Sequence, residues 1–87
     1  RMSWPAAVPV AQAYLDQMLR HERILAARAG EVQSLLDAAR SGDASAADLN
    51  AAADRLEADV AAIRAGTLGG DADRTEKLAG VLRGLAG

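Results

Sequence analysis

One apolar row through the first half of the chain narrows the possible folds more than any other feature. Val8, Ala11, Leu15, Met18, Leu25, Ala29, Val32, Leu36 and Ala39 recur at alternating steps of three and four, with Glu22 as the single charged member of the row. That spacing places a narrow seam along one face of a helix with 3.6 residues per turn, the pattern expected where helices meet lengthwise. A strand would alternate every second residue, and this stretch does not. The row predicts one continuous helix over residues 8–40. Gly30 is its weak point, since a helix-interior Gly costs about 1 kcal/mol relative to Ala, and a bend is expected there before anywhere else.

Ahead of this helix, Trp4 and Pro5 make residues 1–7 an expected extended arm, because the residue before a Pro is pushed away from helical dihedrals. Trp4 is expected to fold back over the nearest end of the bundle, or otherwise to anchor a partner. Pro9 suits the first helical turn, where its missing N–H is not needed.

After residue 40, Ser41-Gly42-Asp43-Ala44 forms a turn, with Gly42 at the left-handed position past a helix end. Ser45 with Asp48 three residues later resembles a capping box and opens a second helix over about residues 46–65. Its seam of Ala46, Leu49, Ala53, Leu56, Val60 and Ile63 keeps the same steps. The short connection forces this helix antiparallel to the first. Gly66, Gly69 and Gly70 then make a joint, and Asp71 or Asp73 caps a third helix over about residues 73–86, with Leu78, Val81, Leu82 and Leu85 as its apolar face.

These elements predict an all-α fold: an antiparallel hairpin with a long first helix plus a short third helix, a three-helix bundle forming one domain over residues 8–87. Leu25, Val32, Leu36, Leu49, Leu56, Val60 and Ile63 are expected to hold the hairpin. At 1.5 Å per residue the first helix would span about 50 Å and the second about 30 Å. The second alone would not cover the first, and the third would run along the uncovered part or fold across both. Tyr14, Met18, Ile24 and Leu35 are therefore expected to form a partner surface. The chain is expected to assemble into a larger helical bundle, with a homodimer favoured. Its length of 87 residues points the same way, since a core of this size is marginal and 22 of the residues are Ala.

Composition removes several functions. With no Cys there are no disulfides, thiolate metal sites or cysteine nucleophiles. A net charge of −2 without a basic run gives no footprint for nucleic acid. No apolar run reaches the ~20 residues of a membrane span, and no signal peptide is visible. Met2 behind Arg1 reads as a native start preceded by an added residue, so a cytoplasmic location is expected. One Lys beside nine Arg, with abundant Ala, matches the codon bias of a GC-rich bacterial genome. Charge is unevenly spread: residues 1–40 carry five Arg against four acids, and residues 41–66 carry two Arg against five acids. Such a difference suits an antiparallel pairing of the two helices.

Candidate chemistry is sparse. Asp71, Asp73 and Thr75 space oxygen atoms as a calcium loop does, but the sixth position is Glu76 and the twelfth Leu82, where Gly and Glu are needed. The glycines at 66, 69 and 70 lack the Lys-Ser or Lys-Thr of a phosphate loop. No triad or paired-carboxylate arrangement emerges, so an enzyme is not expected, nor is a cofactor or a metal. His21, the only His, has no second His at ligand spacing. The pair His21-Glu22 in the first helix of a hairpin resembles the dimerisation and phosphotransfer domain of sensor histidine kinases. That resemblance implies a four-helix dimer with His21 as phosphoacceptor. Residues 23–26, Arg-Ile-Leu-Ala, depart from the family pattern and lack its Pro. The expected function is a non-catalytic protein-protein interaction or oligomerisation module, and the alternative is a phosphorelay or sensory hairpin using His21.

Overall fold

The computed structural model describes residues 7–87, which form four helices: α1 Ala7–Arg20, α2 Ala26–Arg40, α3 Ala46–Arg64 and α4 Ala72–Ala86. Apart from Ala7, the first residue of α1, the expected arm and Trp4 lie outside the described residues. The later elements fall where their caps place them. Ser45 Oγ accepts the Asp48 N–H at 3.0 Å to open α3, and Asp71 accepts the Arg74 N–H at 2.9 Å to open α4.

The long first helix is the correction. It stops at Arg20 and resumes at Ala26, so the chain has four helices where three were expected. The stop is a specific hydrogen-bonded cap. The Arg23 N–H donates to the Met18 carbonyl at 2.7 Å and the Glu22 N–H to the Leu19 carbonyl at 3.2 Å, with Glu22 left-handed at φ 54°. This is the Schellman geometry, and the same pair of bonds ends α2 around Gly42 and α3 around Gly66. Only at the first of the three ends does a residue with a side chain occupy the left-handed position. A continuous helix would have turned the Glu22 carboxylate into the apolar seam, where an unpaired charge is expensive. The cap leaves Glu22 exposed instead.

Gly30 does not interrupt anything. It is an exposed interior residue of α2, and a methyl group added there would meet no atom within 4 Å. Leu25, expected in the seam, is the residue at which α2 starts and is 44% exposed, because the turn displaces it from the helix face.

Side-chain bridges fix the order of the helices. Gln12 and Gln33 exchange hydrogen bonds of 2.8 and 3.0 Å between α1 and α2. Arg28 pairs with Asp59 at 2.7 Å, and Arg55 with Glu31, between α2 and α3. Arg83 of α4 holds Glu57 and Asp54 of α3. Arg74 donates to Gln17 at 2.8 Å, and the Thr75 hydroxyl donates to Met18 Sδ at 3.4 Å, closing α4 onto α1. Each helix is antiparallel to its two neighbours, giving an up-down-up-down ring, and backbones across the diagonals do not approach. Leu15, Met18, Val32, Leu36, Leu56, Leu78 and Leu82 fill the space between them. The most extensive backbone contact is between α3 and α4, where buried Ala52, Ala53 and Ala79 add little bulk. A radius of gyration of 12.3 Å is close to the roughly 12 Å of a compact chain of this length.

The turn can be tested by the sign of a substitution. Glu22→Gly should raise stability by about 1 kcal/mol, because Gly carries no side-chain penalty in the left-handed region. Comparison with Glu22→Ala fixes the sign: at the left-handed turn the Ala variant should be less stable than the Gly variant by about 1 kcal/mol, whereas in a continuous helix it would be more stable by about that amount. Gly30→Ala should also stabilise by about 1 kcal/mol. Urea denaturation midpoints at constant m check both.

Candidate functional site at the joined turns

Two turns meet at one end of the ring. Residues 21–25 connect α1 to α2, residues 65–71 connect α3 to α4, and the Asp71 N–H donates to the Arg23 carbonyl at 3.2 Å to join them. Gly70 allows the approach. Its φ is 156°, and a side-chain carbon there would lie 2.9 Å from the Arg23 carbonyl oxygen and 2.9 Å from Ile63 Cδ1. Only the bare backbone fits.

Beside this junction a cleft of about 120 Å³ is lined by Gln17, Met18, Arg20, His21, Arg23, Asp71 and Arg74. Three arginines and a histidine line it together with one acidic residue. Arg74 is committed in part, through its bonds to Gln17 and to Asp71 Oδ2 at 2.8 Å. Asp71 is held below the usual carboxylate range by the Arg74 backbone N–H first and the Arg74 side chain second. Arg28, Arg40, Arg55, Arg64 and Arg83 each pair with a carboxylate elsewhere. Arg20 and Arg23 make no ion pair among the described residues, and both line this cleft.

The residues singled out from the sequence are scattered. His21 is exposed, but it sits in the turn that ends α1, not on a helix face within a hairpin. Met18, expected on a partner surface, is 1% exposed; its position on the core stripe of α1, with Thr75 against its sulfur, takes it out of contact with solvent. Tyr14, Ile24 and Leu35 are partly buried against the core. Ile24 lies at the bundle end near Ile63 and Leu68, whereas Leu35 borders a shallow cleft of about 300 Å³ with Glu31, Ser34, Asp48 and Arg55. They form no single patch. Gln17, Arg20, Arg23 and Arg74 carried no sequence signal as a group, since Gln17 and Arg74 are 57 positions apart. Among the described residues no three His, Asp or Glu side chains come together as metal ligands, and no helix is long and apolar enough to cross a membrane. No protein-family model, no curated protein and no solved structure matches this chain.

Gly70→Ala should cost about 1 to 3 kcal/mol through the clash with the Arg23 carbonyl and Ile63. Asp71→Ala should cost about 1 kcal/mol as a lost helix cap. Because the Asp71 pKa is depressed in the folded state, its ionic contribution is complete above the unfolded carboxylate value near 4. It is lost as pH falls through the lower folded value. The gap between wild type and Asp71→Ala should therefore narrow in acid, as read from chemical denaturation across a pH series.

Proposed function

We propose that the chain is a non-catalytic helical interaction module that engages a partner along the α2–α3 face, with a second copy of itself as the partner. The observation that carries this reading is the cleft of about 300 Å³ bordered by Leu35. Its backbone basis is the thin contact between α2 and α3, the least extensive of the four neighbouring pairs. The α2 core stripe consists of Ala29, Val32 and Leu36 alone, so the pair stands apart and is tied across its surface by Arg28–Asp59 and Arg55–Glu31. The gap accepts an apolar side chain from outside.

The rim supports self-pairing. Glu31, Asp48 and Arg55 give it both signs of charge, and a two-fold contact sets each residue against a complementary one from the same surface. Such rim charges add orientation more than affinity, at about 0.2 to 1 kcal/mol each. The buried Leu35 contact would supply most of the free energy.

Sedimentation velocity over a concentration series checks the reading. A dimer by high micromolar concentration is expected. Leu35→Glu should shift the distribution to monomer while leaving helical content unchanged. A wild-type chain that stays monomeric throughout would exclude self-association as the mechanism.

A further inference from the structure

We propose that the cleft between the two joined turns is a binding site for a phosphoryl group, presented by a small phosphate monoester or by a phosphomonoester lipid headgroup. This goes beyond the interaction surface on α2–α3 and uses none of its residues. The placement of charge carries it. The chain is acidic overall, yet three arginines drawn from α1, the first turn and α4 converge on one cleft containing a single carboxylate. The other arginines described here are matched with acids. Arg20 can be assigned a structural role, since a cation in the last turn of α1 complements the helix dipole. Arg23 forms no ion pair among the described residues: its carbonyl, and not its guanidinium, makes the bond to Asp71 that joins the turns, and its charge acts on the Asp71 carboxylate only through space.

The number of donors selects the ligand. A carboxylate has two oxygens and saturates one or two guanidinium forks, whereas a phosphomonoester offers three terminal oxygens and a second negative charge. Three forks with the Gln17 amide and His21 ring beside them match the second set better. The cleft is small, about 120 Å³, and open to solvent, so it suits a phosphoryl group whose ester substituent stays outside. Asp71 acts as the internal competitor, occupying Arg74 when no anion is present. The side chains are solvent-exposed, so affinity in the millimolar range is expected.

The test is an amide NMR titration of the full chain with glycerol phosphate, at an ionic strength held constant with sodium chloride. Saturable shifts confined to residues 20–24 and 71–75 are expected. Arg23→Gln and Arg74→Gln should each weaken binding about tenfold. Asp71→Asn keeps a capping oxygen but removes the competing charge, and should tighten binding several-fold; a purely structural role for the cluster would not produce that sign. Lys77→Gln, an exposed charge change on α4 outside the cleft, should have no effect. A parallel arm measures co-sedimentation with vesicles of phosphatidylcholine with and without phosphatidic acid. Binding in either arm that is weakened about tenfold by Arg23→Gln and left unchanged by Lys77→Gln supports the site and identifies the source of the phosphoryl group. Absence of saturable binding in both arms, or equal loss in Lys77→Gln and Arg23→Gln, would overturn it.

Discussion

An ionised carboxylate in an apolar helix interface must find a partner or leave, and the bundle depends on Glu22 leaving. Its position in the row of threes and fours would put it in the apolar seam between Met18 and Leu25. Ending α1 two residues earlier places the carboxylate in water at the cost of one left-handed non-glycine residue, about 1 to 2 kcal/mol. The unpaired charge would cost several times that. Everything downstream follows from the reversal. It brings α2 back along α1, leaves α1 free to receive α4 on its other side, and turns a long hairpin into a closed ring of four.

The electrostatic bridges act on this ring as selectors of arrangement. Arg28 sits between the Asp59 and Glu31 carboxylates, and its pKa is raised by the hydrogen bond to Asp59, against the opposing effect of burial. Arg83 reaches two acids on α3, which raises its own pKa and lowers that of Glu57. These groups lie at or near the surface, where solvent screening keeps single pairs weak. Their value lies in register: α3 is paired with both adjacent helices, so a ring with α3 next to α1 would leave one of the two sets of pairs unmatched.

The end of α2 and the helices α3 and α4 were legible because their boundaries are local chemistry. Gly42 marks the end of α2, Ser45 and Asp48 the start of α3, and Asp71 the start of α4; each is a side chain, or the lack of one, acting within a few residues. The break at residues 21–25 was not legible as a break, because no Gly occupies its left-handed position. The apolar row also keeps step across the gap: Met18 and Ala29 fall in phase as if the helix were continuous. Glu22 was the available signal, a charge in a row that tolerates none. Gly30 misled, since a glycine on the solvent side of an otherwise sound helix removes stability without bending it. The basic cleft could not be read at all, because it is assembled by the ring closing and not by any spacing along the chain. Met18 was misplaced for a related reason: its neighbour Thr75 arrives from the far end of the sequence.

The thin contact between α2 and α3 has a consequence for the energy landscape. α2 fully buries only Ala29, Val32 and Leu36, with Leu35 and Ala39 partly buried beside them, and its remaining ties to α3 are bridges near the surface. The contacts that hold α1, α3 and α4 together, Thr75 against Met18 and the alanine packing of α3 on α4, involve no residue of α2. The fewest contacts therefore protect the backbone amides of α2, and they are expected to exchange with solvent ahead of those in the other three helices.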